Sequence, residues 1–163
     1  MIKNLEQNYI SVVLVINDDN SQVEKKINEI KKVLDNNFKS SEIVIVDNTA
    51  KVDSLESLKS LNFKHTEIKL PIKHRTQQAL NAGTAIAIGD YIVEIEDISF
   101  DIDYNKIIEM YRKSQEGYDF VFLTPKKSRR SSKIFYNILH NLPFILLYIV
   151  PIYGKYKYYR REM

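Results

Sequence analysis

Acids and amides gather at three points where an apolar run stops: Asp18 and Asp19 after Ile16, Asp47 and Asn48 after Val46, and Glu94, Glu96 and Asp97 around Ile95. Oxygen ligands grouped at strand ends can hydrogen-bond a nucleobase and ribose, or hold a divalent cation on a diphosphate. Each is also the residue type that a strand-end turn uses, so none is decisive alone. Glu94 and Glu96 lie two apart and share one face of an extended chain, while Asp97 points to the other. The competing role for Glu94 is an ion pair with a cationic side chain.

Several other chemistries are excluded by what the chain lacks. No G-x-G-x-x-G follows the first apolar run and no G-x-x-x-x-G-K-[ST] occurs, so the common glycine cradles for dinucleotides and nucleoside triphosphates are missing. His65, His74 and His140 have no ligand partner three or four residues away, which argues against zinc. No serine stands in a G-x-S-x-G elbow. With no cysteine there is neither a disulfide framework nor a thiolate nucleophile.

The elements that must position the acids can be read from periodicity. Ile10–Ile16 and Glu42–Asp47 are nearly unbroken β-branched runs of strand length, the mark of strands buried on both faces. Ser21 and Glu24 form a capping-box pattern ahead of Val23, Ile27, Ile30, Val33 and Leu34 at helical spacing. A short helix over Leu55–Leu61, a strand over His65–Leu70, a helix over Thr76–Ile88 containing Gly83, and a strand over Tyr91–Glu96 follow. A helix over Tyr104–Ser114 and a strand over Asp119–Leu123 complete the alternation. This order predicts an α/β fold with a mainly parallel sheet flanked by helices, whose site lies beyond the carboxyl ends of the strands.

The 163 residues divide by charge. Residues 126–163 hold nine basic side chains and one acid, a net of +8, whereas residues 1–125 hold 15 basic and 20 acidic, a net of −5. We therefore expect an α/β domain over 1–125 and a basic, aromatic, hydrophobic helical tail over 126–163. Within the tail, Ser131–Leu142 reads as helical and Phe144–Val150 is apolar throughout. That run is far short of the roughly 20 residues a spanning helix needs. Basic residues among Tyr136, Tyr148, Tyr153, Tyr156, Tyr158 and Tyr159 suit an anionic membrane surface, and the apolar run equally suits the sheet or a partner protein. Tyrosines among cations also stack on bases, but a nucleic acid ranks behind both. Met1–Tyr9 is polar and shows no secretory signal, so a cytoplasmic protein, peripheral at the inner membrane face, is expected. A hydrophobic tail on so small a domain also favours a homo-oligomer.

Five stretches in order bring a family to the chain: SVVLVINDD at Ser11–Asp19, EIVIVDNTA at Glu42–Ala50, ALNAG at Ala79–Gly83, GDY at Gly89–Tyr91 and KIFYNILHNL at Lys133–Leu142. Together they resemble the N-terminal half of a family 2 glycosyltransferase, an inverting enzyme of GT-A-like fold, and within it the polyprenyl-phosphate sugar transferase branch. The resemblance implies binding of a nucleotide diphosphate sugar and transfer of its sugar to a lipid phosphate or glycan. It implies that Asp19, Asp47 and Asn48 line the pocket for base and ribose, with Asn81 and Gly83 against ribose or pyrophosphate. It also implies Mg²⁺ or Mn²⁺ at an Asp-x-Asp motif beginning seven residues after Gly89, at Glu96, with Glu94 and Asp97 as further ligands.

The chain departs from that pattern at defined places. The second acid of the metal motif falls on Ile98, which offers no oxygen ligand. Arg75 and Gln77 stand where small residues usually precede ALNAG, and Thr49-Ala50 replaces Gly-Ser. An inverting transferase deprotonates its acceptor with a general base, and no residue here can be assigned to that role. The alternative function is a non-catalytic module of the same fold that works by protein or membrane association.

Overall fold

The computed structural model describes residues 4–18, 22–51, 54, 56–99, 102–123 and 156–160. In chain order they form β1 (Glu6–Ile16), α1 (Val23–Asn37), β2 (Phe38–Asp47), a 3₁₀ turn (Glu56–Ser60), β3 (Thr66–Lys69), α2 (Thr76–Ile86), β4 (Tyr91–Ile95), α3 (Lys106–Ser114), β5 (Phe120–Leu123) and β6 (Tyr156–Arg160). The sheet runs β3-β2-β1-β4-β6-β5. Strands β3, β2, β1 and β4 are parallel, and β6 lies antiparallel between β4 and β5. This is the mainly parallel α/β sheet flanked by helices read from the sequence.

β1 occupies the middle because its side chains are apolar on both faces. Val12, Leu14 and Ile16 join Ile43, Ile45, Val93 and Ile95 in a core closed by Ile27, Ile30 and Leu34 of α1 and Ile107, Met110 and Tyr111 of α3. Val13 and Val15 join Val44, Val46 and Ile92 under Ala79 and Leu80 of α2 on the opposite face. Each such aliphatic side chain contributes about 1.5–3 kcal/mol through burial, which makes β1 the most heavily anchored strand.

Two glycines permit close approaches. A Cβ on Gly83 would stand 2.4 Å from Val13 and 2.8 Å from Val46, so this glycine lets α2 lie directly on the sheet. A Cβ on Gly89 would stand 2.5 Å from the Ser11 hydroxyl. Its absence lets the Gly89 N–H donate to that hydroxyl at 2.8 Å, and Ser11 in turn donates to Glu42, which also accepts the Ile88 N–H at 2.7 Å. Asp90 accepts the Tyr9 N–H. The GDY stretch thereby fastens the α2–β4 loop to the amino edge of the sheet.

Several elements are shorter than the sequence suggested, above all the helix over 55–61, which is a 3₁₀ turn, and α2, which ends at Ile86 because Ala87 turns extended, while β1 and β2 begin earlier, at Glu6 and Phe38. The larger correction concerns the tail. Tyr156–Arg160, expected as part of a helical tail, is a strand, with Ile95 and Leu123 both registered on Tyr156. Its aromatic-rich YKYYR composition suits a strand, and insertion there pairs the backbone edges of β4 and β5. The sheet thus draws one strand from beyond residue 125. The helix expected over 131–142, the apolar run 144–150 and the cap Ser21 lie outside the described residues. Among the described residues no helix is long and apolar enough to cross a membrane.

Gly83→Ala tests the α2–sheet contact. Alanine gains about 1 kcal/mol of helix propensity, but overpacking against Val13 and Val46 costs roughly 1–3 kcal/mol. A net loss of stability is expected in urea denaturation; a gain would show that α2 can lift off the sheet without cost.

Candidate functional site

The carboxyl ends of β1, β2 and β4 carry the candidate acids, and one carboxamide ties the ends of β1 and β2 to the loop before α2. Asn48 lies fully buried after β2. Its Nδ2 donates to Asn17 Oδ1 at 2.8 Å and to the His74 carbonyl at 2.9 Å, while its Oδ1 accepts the His74 N–H at 2.8 Å. The loop after β1, the end of β2 and the loop leading into α2 are thus held by a single side chain. Backbone bonds extend the ladders in the same place, from Asn48 N–H to Ile16 and from Leu70 N–H to Asp47.

Asp47 is turned inward beside it, 1% exposed. Its Oδ1 accepts the Thr49 N–H and hydroxyl at 2.9 and 2.7 Å, and its Oδ2 accepts from Ser54. The turn this builds places Ala50 at φ 59°, a left-handed conformation that non-glycine residues adopt at a cost of about 1–2 kcal/mol. The side chains of Asp47 and Asn48, expected to face a base and ribose, therefore shape the floor of the site and spend their hydrogen-bonding capacity on its loops. Sequence reading found both residues but missed Asn17, His74 and Ser54, which have no motif spacing to either, and Thr49, whose place two residues after Asp47 is the spacing of an Asx turn.

The remaining expected residues separate. Gly83 is in the helix–sheet contact, and Asn81 is exposed on α2, accepting from Gln77 Nε2 at 3.2 Å. Asp19 lies outside the described residues. Its neighbour Asp18 is 84% exposed at the end of β1, with the Lys73 ammonium 3.7 Å away. Lys73 also donates to the Asn17 carbonyl at 3.3 Å. Lys73, His74 and Arg75 form a continuous basic stretch where the Asn48 bonds fix the backbone.

After β4 the acids take different directions. Glu94 is 2% exposed, on the α2 face, and accepts from the Thr84 hydroxyl at 3.0 Å. The register sets Lys157 of β6 opposite it. Glu96 follows the end of the strand and is half-buried. Asp97 accepts the Ser99 N–H at 2.8 Å and so organises the next turn. Ile98, at the position of the second metal acid, is 2% exposed and packs into the α1–α3 core. Among the described residues no three acidic or histidine side chains converge as cation ligands. The Asp-x-Asp geometry expected at Glu96, with Glu94 and Asp97 as support, is therefore not reproduced by the residues described.

The perturbed phenols sit elsewhere. Burial, then Glu42, lifts the Tyr9 hydroxyl above its ordinary value. Burial does the same to Tyr111, although the Asn8 amide that donates to it opposes the shift. Both lie at the amino edge, away from the candidate site.

No family model matches the chain, and no curated protein sequence matches it. Solved structures do. The mannosyltransferase PcManGT of Pyrobaculum calidifontis, in complex with GDP-Man and Mn²⁺, superposes with a TM-score of 0.67 at 15% identity, covering 96% of this chain and 45% of that one. Glucosyl-3-phosphoglycerate synthase of Mycobacterium tuberculosis, with Mn²⁺, UDP and phosphoglyceric acid, gives 0.65 at 19%, covering 94% and 56%. The same synthase with Mg²⁺ and UDP gives 0.62 at 18%, covering 94% and 57%. At these identities the likeness shows the fold. The chain spans about half the length of each.

Asn48→Asp tests the carboxamide tie. Aspartate accepts the His74 N–H but cannot donate to Asn17 Oδ1 or the His74 carbonyl, leaving a buried carboxylate against two oxygens. A loss of about 3 kcal/mol is expected in urea denaturation. Wild-type stability in the variant would show that the loops are held by other contacts.

Proposed function

We propose that the chain binds a nucleotide diphosphate sugar at the carboxyl edge of its sheet, in the manner of a family 2 glycosyltransferase of the polyprenyl-phosphate branch. Transfer would run from that donor to a lipid phosphate or glycan. The observation that carries the reading is the Asn48 tie, which rigidifies the ends of β1 and β2 and the entry to α2 around an open edge. Structures with the same sheet hold GDP-Man or UDP. In this reading Asp19 and Asp18 flank the ligand, Asp47 and Asn48 set the shape of the floor, and Asn81 borders it along α2.

The basic segment 126–163 would bring the domain to an anionic membrane surface on the cytoplasmic side, or to a partner protein, and self-association through its apolar run belongs to the same proposal. A second reading, a non-catalytic module acting by protein or membrane association, is favoured by one feature: the buried acids Asp47 and Glu94 are engaged within the fold. Neither reading assigns a general base.

Isothermal titration calorimetry against UDP and GDP separates them. Micromolar binding, about −8 kcal/mol, displaced by UDP-Glc or GDP-Man is expected for the donor site. Absence of heat with both nucleotides would leave the association module. For the membrane role, co-sedimentation with anionic vesicles should fall as salt rises and when Lys126, Lys127, Arg129 and Arg130 are replaced by Gln. Binding that ignores both changes would exclude an electrostatic contact.

A further inference from the structure

The charges at the carboxyl edge are arranged differently from those of a cation-dependent diphosphate site. Position 98 points into the core as isoleucine, Glu94 is enclosed under α2 with Thr84, and one Asp97 oxygen is bonded to the Ser99 amide. A positive charge is already fixed against that turn. The Lys26 ammonium, reaching across from the first turns of α1, donates to the carbonyls of Ile98 and Ser99 at 3.0 and 2.7 Å. Placing a dication beside it would set like charges together in a partly buried turn. At the end of the adjacent strand β1, Lys73 is anchored on the Asn17 carbonyl with its side chain 55% exposed.

We propose that this chain holds the diphosphate of its ligand without a divalent cation, between Lys26 at the turn after β4 and Lys73 at the end of β1. The inference rests on the donor-site reading above. Lys73 is anchored just beyond β1 and Lys26 on the turn three to four residues beyond β4, two strands that are paired neighbours, so both ammonium groups stand at the same edge of the sheet. Ammonium groups bind phosphate as point charges, which suits two lysines placed separately. Each is held to backbone carbonyls, so part of the ordering cost is met before the ligand arrives.

The test is calorimetry of the full chain with UDP and with GDP, in Mn²⁺ and in EDTA, for the wild type, Lys26→Met and Lys73→Met. The expected result is an affinity that changes less than about threefold between Mn²⁺ and EDTA, and falls about tenfold in each variant. The dependence on salt should weaken in both, as one charge contact is lost. Lys73 is a surface residue, so its variant keeps the test decisive if Lys26→Met fails to fold. Binding that requires Mn²⁺, or an affinity unchanged in Lys73→Met, would overturn the inference and leave the donor site standing. No binding in either buffer would remove the donor site itself.

Discussion

A buried carboxamide has two donors and an acceptor to satisfy, and at Asn48 that demand organises the ends of β1 and β2 and the entry to α2. Its partners come from the loop after β1 and the loop before α2, 31 and 26 residues away in sequence. An unmade hydrogen bond there would cost as much as a typical core substitution, so the loops are fixed in place together. The neighbouring Asp47 applies the same logic to its own turn. The order at the carboxyl edge is thus a consequence of polar groups that cannot reach water, and any ligand meets loops that are already set.

The two edges of the sheet use polar contacts to opposite ends. At the amino edge Ser11, Glu42, Gly89, Ile88 and Asp90 consume one another's hydrogen bonds and close the structure. At the carboxyl edge the buried polar groups support loops, while exposed charges remain on Asp18 and Lys73. Burial of polar atoms therefore marks scaffold, and exposure beside it marks the surface available for binding.

Much of this fold is legible in the sequence because burial on both faces leaves unbroken apolar runs, and β1, β2 and β4 stand where those runs are. Helices α1 and α3 follow from their spaced aliphatics. The candidate site is legible only as residue types at strand ends. The inward turn of Asp47 depends on Thr49, at the local spacing of an Asx turn, and on Ser54; the Asn48 tie depends on a histidine backbone far along the chain and the direction of Ile98 on core space between α1 and α3, and neither of these has a local pattern. Gly83 belongs to the ALNAG stretch on which the family resemblance rests, yet its missing Cβ serves helix packing. β6 escaped notice because a strand of five residues pairs through its backbone with segments more than 30 residues earlier.

The insertion of β6 also sets an order of assembly. β3, β2, β1 and β4 are contiguous neighbours built from the first 95 residues, and their parallel pairings need nothing later in the chain. β5 has no such neighbour until residues 156–160 are made, since its only strand partner among the described residues is β6. During synthesis at roughly 5–20 residues per second, the pairing of β4 and β5 with β6 therefore follows some seconds after both strands are made. Until β6 is made, β5 carries the stacked Phe120 and Phe122 on a strand whose pairing to the sheet, among the described residues, is still to come, the kind of edge that pairs with other chains.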